Sequence, residues 1–316
     1  MPILAYGDDS ADEKRQRVCA VAGVVGTWSS WRALEREWLI RTGGIPFHAK
    51  DCESDWGDYR GRSHAENKAL YQDLVTMLAN STIYGIGVVV DLIAARSVFP
   101  NSPDIADISY YRSFTRVIEV MKNVAKESGE MADVSFDMRL DTEHNVDLLY
   151  GHARENQPEW TPHLAEKITF EFSHKQPRIQ VADLMAYEAM RGLDNRVGPK
   201  KRPTRKSWSV LHDTDRFFIE AYSDDWFQAL KANYAELEKR VGFGEKEYKE
   251  WLQKKNRQHN MTNVILFFDW FDKRKENNGK RVREFRPHDA GAIEGSLQRD
   301  QSKTKRGKGR KKVKEI

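Results

Sequence analysis

Ile3-Leu4-Ala5-Tyr6-Gly7-Asp8-Asp9-Ser10 opens the chain with an apolar run that stops at two adjacent carboxylates. A core strand avoids unpaired charge, so a strand that ends this way reads as one whose tip carries chemistry. Taken alone, Asp8 reads more readily as an Asx turn closing the strand and opening a loop. Two distant segments shift the balance. Asp133-Val134-Ser135-Phe136-Asp137 reads as a second short strand ending in a carboxylate, and Gln180-Val181-Ala182-Asp183-Leu184-Met185-Ala186-Tyr187 sets a carboxylate among apolar residues at the start of a helix. Three separated acids in core-like settings point to a metal site.

The rest of the pattern alternates strands and helices. Val18–Val25 is apolar throughout and forms a hairpin with the first strand. Ser30 is suited to cap a helix whose Trp31, Leu34 and Trp38 share one face, a stripe that reads as core rather than as a cofactor platform. Phe47-His48-Ala49-Lys50-Asp51 is expected as a loop or short strand, and its His, Lys and Asp are able to orient a phosphate or a water. Trp56 to Arg62 reads as a mobile connection with aromatic and basic groups, suited to line a substrate groove. A helix over Ser63–Ala79 and a β-branched strand over Thr82–Val90 follow. Gly85 and Gly87 lie inside that strand with no third glycine, so they make no dinucleotide fingerprint. Helices are expected over Ile108–Lys126, from Asp141 as its cap to Arg154, and over Ile179–Arg191; strands are expected over Val134–Met138 and Lys167–Phe172. This is an α/β layout with a mixed central sheet flanked by helices.

The 316 residues are 39% hydrophobic and 32% charged, which excludes general disorder. No apolar run approaches the roughly 18 residues of a membrane span, and the N-terminus lacks the basic-then-apolar layout of a signal peptide, so a cytoplasmic location with no membrane partner is expected. The two cysteines, Cys19 in a strand and Cys52 in a polar loop, form no C-x-x-C pair and suit a reducing compartment.

Net charge is only +4, but the basic residues are concentrated late in the chain. Arg196, Lys200, Lys201, Arg202, Arg205 and Lys206, punctuated by Pro199 and Pro203, read either as a loop tracking a phosphate backbone or as a solvated linker. Ser209 to about Arg240 is helical by pattern, with Leu230, Tyr234, Leu237 and Val241 recurring at helical spacing. Leu266-Phe267-Phe268-Asp269-Trp270-Phe271 suggests a buried aromatic helix packed on the main domain or on a partner, a second copy included. The last sixteen residues hold eight Lys or Arg against Glu315, too polar to fold alone and suited to nucleic acid. The expected organisation is an α/β domain over 1–195, a basic loop and helical extension over 196–272, and a basic, disordered tail over 273–316.

Hard divalent cations take oxygen ligands, so Mg2+ or Mn2+ fits Asp8, Asp137 and Asp183 better than zinc, for which no H-E-x-x-H or cysteine pair is present. The candidate ligands are Asp8, Asp9, Asp137 and Asp183, with Glu143 as a fourth carboxylate if Asp141 does not serve. Two cations about 4 Å apart activate water and stabilise a leaving oxygen in phosphodiester displacement, with no protein nucleophile. His48 and Lys50 are the candidates for holding phosphate or positioning water.

A first strand ending Tyr-x-Asp-acid-Ser, a later strand ending in Asp and a Gln-x-Ala-Asp-Leu helix resemble the family known as domain of unknown function 3800. The resemblance covers roughly residues 1 to 192. It implies a ribonuclease H-like fold and a metal-dependent nuclease, of a kind often encoded among defence and mobile-element genes. Asp9, Ala11 and Pro46 depart from the family pattern, the last where an acidic residue often precedes the Phe-His pair. The expected function is therefore metal-dependent hydrolysis of RNA or DNA. The alternatives are a catalytically inactive protein of the same fold that binds nucleic acid or a protein partner, and an α/β enzyme acting on a small phosphorylated ligand.

Overall fold

The computed structural model describes residues 3–98, 100, 105–138, 143–156, 158–229 and 232. The chain divides into two compact units, Met1–Ile265 and Leu266–Ile316, and every described residue lies in the first. In chain order the elements are β1 (Ile3–Ala11), β2 (Val18–Thr27), α1 (Trp28–Thr42), α2 (Ala49–Ser54), α3 (His64–Asn80), β3 (Tyr84–Asp91), α4 (Leu92–Val98), α5 (Ile105–Glu127), β4 (Ala132–Asp137), α6 (Glu143–Asn156), β5 (Thr169–Glu171), α7 (Pro177–Val197), α8 (Lys206–His212) and β6 (Phe217–Tyr222).

The strands form one six-stranded mixed sheet in the order β5-β4-β1-β2-β3-β6. β1, β2 and β3 make an antiparallel meander, while β4 runs parallel to β1, β5 to β4, and β6 to β3. Helices cover both faces, which is why the central strands read as nearly unbroken apolar runs. Tyr6, Ala20, Ala22, Val24, Val89 and Phe217 point to the face covered by α1, α2, α3, α7 and α8. Ala5, Val21, Val25, Val88, Val134 and Phe136 point to the face covered by α4, α5 and α6. Among the described residues no helix is long and apolar enough to cross a membrane.

The tryptophan stripe of α1 is core: Trp31 and Trp38 are fully buried, and Trp31 Nε1 donates to the carbonyl of Leu4. The helix is capped by Thr27, whose Oγ1 accepts from the Ser30 N–H, so Ser30 lies one turn inside rather than at the cap. α3 starts with a full capping box, Ser63 and Glu66 each bonding the other's backbone N–H. Asp91, at the end of β3, caps the short helix α4 by accepting from the N–H groups of Ile93 and Ala94.

Four expectations need correction. Residues 49–54 form a helix, and Cys52 is buried within it rather than placed in a polar loop. Trp56 to Arg62 contains a 3-10 turn anchored by buried Tyr59. The strand expected over Lys167–Phe172 pairs only over Thr169–Glu171. The helical pattern expected from Ser209 is interrupted by β6, which extends the main sheet beside β3. Leu230, Tyr234, Leu237 and Val241, the aromatic stretch 266–271, Asp141 and the basic tail over 273–316 lie outside the described residues.

α7 lies close against the sheet because β3 lacks a side chain where they meet. A Cβ built on Gly87 would stand 2.6 Å from the Cβ of Ala189. Gly87→Ala should therefore lower unfolding stability by about 1–3 kcal/mol through overpacking. Urea denaturation followed by circular dichroism measures this, and an unchanged midpoint would contradict the close approach.

Candidate carboxylate centre

Strand parity decides which acids can meet. Successive side chains of a strand face opposite sides of the sheet. On β1, Leu4 and Tyr6 pack with the α7 face and Ile3 and Ala5 with the α5 face, so Asp8 belongs to the α7 side and Asp9 to the other. On β4, Val134 and Phe136 face α5, which turns Ser135 and Asp137 toward α7. The parallel register pairs Tyr6 with Ser135 and Gly7 with Phe136, so Asp8 and Asp137 follow side by side at the point where β1 outruns β4. β1 itself continues to Ala11 against β2, so Asp8 stands within the strand rather than at its tip.

α7 brings the third acid. Its axis follows β1: Arg178 Nη1 donates to Tyr6 Oη at 2.8 Å, and near its other end Asp194 pairs with Arg17 at 3.1 Å. Between these contacts, Asp183 faces Asp8 and is 4% exposed, against 7% for Asp8. Burial raises the Asp8 carboxyl well above its ordinary value of 3.8, and the charges of Asp183, Asp137 and Asp9 push in the same direction. Asp183 is raised by burial as well; His48 and the N–H of Ala49 oppose that shift, while Asp137 and Asp51 add to it.

Each of the three carboxylates has one oxygen held by a backbone N–H. Asp9 N–H donates to Asp8 Oδ1 at 2.6 Å, Ser173 N–H to Asp137 Oδ1 at 3.0 Å, and Ala49 N–H to Asp183 Oδ2 at 2.6 Å. The last bond also satisfies an otherwise unpaired N–H in the first turn of α2. Gln180 ties these supports together. Its Oε1 accepts from Trp38 Nε1 and the Phe47 N–H, and its Nε2 donates to the Ser173 carbonyl. A single buried amide thus joins α1, the approach to α2 and the turn that holds Asp137.

His48 stands on the open side of the cluster, with Nε2 3.9 Å from Asp183 Oδ1 and Nδ1 3.3 Å from Asp51 Oδ2. Lys50 is exposed two residues further on. Asp9, grouped by sequence with the ligands, instead lies on the α5 face with Arg15 at 3.7 Å. Glu143 begins the backbone of α6, and its side chain lies outside the described set. Both cysteines are buried with thiols pushed up to about 12, chiefly by burial, which makes them poor nucleophiles.

The basic loop divides. Arg196, Lys200, Lys201, Arg202 and Lys206 are exposed, with Arg196 about 20 Å along α7 from Asp183 at 1.5 Å per residue. Arg205 turns inward instead. Its side chain is 13% exposed and pairs with Glu188 at 3.0 Å and Glu53 at 2.6 Å. Burial opposes its charge, but Glu188, Tyr71 and Glu53 outweigh that and raise its pKa. Glu188 also accepts from Tyr71 Oη and Ser207 Oγ, and Glu53 from Tyr187 Oη. This network clamps α2 to α7. The only sequence signal for it is a charged Glu188 inside the apolar run Ala186–Met190.

Among the described residues no three His, Cys, Asp or Glu side chains stand at metal-ligating spacing. Asp8, Asp137 and Asp183 offer oxygen ligands only and share one face, the donor chemistry that a hard divalent cation takes.

A carboxyl raised in the folded state binds more protons native than unfolded, so stability falls as pH climbs from about 3.8 through the folded value and stays lower above it. Asp8→Asn removes that penalty while keeping an Oδ1 acceptor for the Asp9 N–H. In EDTA near neutral pH its Tm should exceed that of the wild type, with the gap closing as both are acidified; a lower Tm near neutrality would contradict the repulsion. No protein-family profile matches this chain, and a search of curated proteins returns no match.

Proposed function

We propose that the chain is a divalent-cation-dependent nuclease of the ribonuclease H-like kind implied by its resemblance to domain of unknown function 3800, hydrolysing phosphodiester bonds of RNA or DNA in the cytoplasm. The observation that carries this reading is the placement of Asp8, Asp137 and Asp183 toward one face of the sheet, where burial raises the Asp8 carboxyl and the charges of Asp183 and Asp137 add to that rise. A mixed sheet with helices on both faces is compatible with the implied fold.

In this reading Asp8, Asp137 and Asp183 hold Mg2+ or Mn2+. When bound, such a cation supplies Lewis-acid polarisation of the scissile phosphate and favours hydroxide at neutral pH. The backbone N–H groups of Asp9, Ser173 and Ala49 fix one oxygen of each carboxylate, which presets the direction of the second. His48, oriented by Asp51, holds or moves a proton at Nε2 beside Asp183. Lys50 offers a point charge to phosphate. Arg196, Lys200, Lys201, Arg202 and Lys206 guide the backbone at a distance and carry no base sequence information, so cleavage is loosely specific. Arg205 serves the clamp instead.

The purified protein should cut single-stranded, duplex or hybrid oligonucleotides with Mg2+ or Mn2+, lose that activity in EDTA, and lose turnover but not binding on Asp183→Ala. Tight, metal-independent binding without cleavage of any substrate would replace this reading with that of a catalytically inactive binding protein.

A further inference from the structure

An exposed indole follows directly on α2, the helix whose first N–H holds Asp183, and takes no part in the core. After α2 the chain turns at Asp55, whose φ is +57°, and the Trp56 N–H returns to the Asp51 carbonyl at 2.9 Å. Gly57 then follows at φ +57°, so close to Asp51 that a Cβ there would stand 3.2 Å from Asp51 Oδ2. That same oxygen lies 3.3 Å from His48 Nδ1, and His48 Nε2 lies 3.9 Å from Asp183 Oδ1. The backbone that carries Trp56 is thereby tied through Asp51 to His48, which neighbours Asp183.

Its neighbour three residues on, Tyr59, anchors the turn in the core at 2% exposure, whereas Trp56 remains 58% exposed. The Arg60 guanidinium sits over the Trp56 ring, 3.3 Å from its centroid. Arg178 lies over Trp28 in a comparable way, but there the guanidinium is also bonded to Glu35 and Tyr6 within the fold. An exposed indole backed by a guanidinium is a surface on which a nucleobase stacks, with the cation reinforcing the ring from behind. Stacking requires a base whose face is available, which a single strand presents and a continuous duplex does not.

We propose that Trp56, backed by Arg60, is a base-stacking platform at the edge of the carboxylate centre and that the substrate class is single-stranded nucleic acid. The inference rests on the nuclease reading and deepens it by naming the form of the substrate. The turn at Gly57 and the buried Tyr59 hold the indole in place relative to Asp51, so the platform and the His48 side of the centre are fixed by the same short segment.

The test is fluorescence anisotropy of the full-length protein with labelled oligo(dT) and oligo(rU) and with a duplex of equal length, in EDTA and again in Ca2+. Trp56→Ala should raise Kd for the single strands about tenfold while Trp56→Phe stays within about threefold and the duplex Kd moves less than about twofold. Circular dichroism of Trp56→Ala should match the wild type, since the side chain is exposed. Single-strand Kd values unchanged in Trp56→Ala would overturn the platform and leave the nuclease reading standing, as would an equal loss on the duplex. A wild type that binds no nucleic acid would overturn both. A Trp56 effect on binding in a protein that cuts nothing would support the platform and end the catalytic reading.

Discussion

The structure depends on one demand: α7 is buried on nearly every side, so each polar group it carries must find a partner inside the protein. A helix in that position is usually apolar all round. This one brings Arg178, Gln180, Asp183 and Glu188 into the interior. A buried donor or acceptor left unpaired costs about 1–3 kcal/mol, and more when charged. The rest of the α7 face of the sheet meets that demand. Tyr6 and Glu35 take Arg178; Trp38, Phe47 and Ser173 take Gln180; Ala49 takes Asp183; and Tyr71, Ser207 and Arg205 take Glu188. α1, α2, α3 and the segment after α7 are located by these bonds as much as by apolar contact.

The carboxylates stand apart within this scheme. Arg178, Gln180 and Glu188 are accommodated by several protein groups, whereas Asp8, Asp137 and Asp183 receive one backbone N–H each, with His48 beside Asp183 at 3.9 Å. Two of the three are raised toward the neutral form, with burial the larger cause. A fold that spends effort fixing the direction of mutually repelling acids sacrifices stability there, which is the usual mark of a functional centre. The Glu53–Arg205–Glu188 clamp acts on the same helix pair, because α2 supplies the N–H that orients Asp183 and is itself tied to α7 one turn further along.

Much of this was legible in the sequence, for specific reasons. The hairpin, the Trp31–Leu34–Trp38 stripe and the three acid-bearing segments announce themselves through apolar runs and helical spacing. The parity of β1 is equally readable, since adjacent strand residues face opposite sides and Asp9 is thereby separated from Asp8. α2 was hidden because six residues beginning after a histidine carry no capping signal and too short a period. β6 was hidden within a longer stretch read as helical, since a short strand recruited by pairing with β3 depends on tertiary contact rather than local pattern. Arg205 looked like its basic neighbours because its partners, Glu53 and Glu188, are remote in sequence and nothing local shows that it turns inward. Gln180 was visible as part of a motif, but its role in joining three segments emerges only once Trp38, Phe47 and Ser173 are seen around it.

The central claim is that Asp8, Asp137 and Asp183 act as one cation-binding centre while Asp9, on the opposite face, does not belong to it. Isothermal titration of Mn2+ into the wild type and into the Asp8→Asn, Asp137→Asn, Asp183→Asn and Asp9→Asn proteins tests this most directly. The account predicts saturable binding by the wild type and by Asp9→Asn, and its loss or severe weakening in each of the other three. Equal Mn2+ binding by the wild type and Asp8→Asn, or no binding by the wild type, would contradict it.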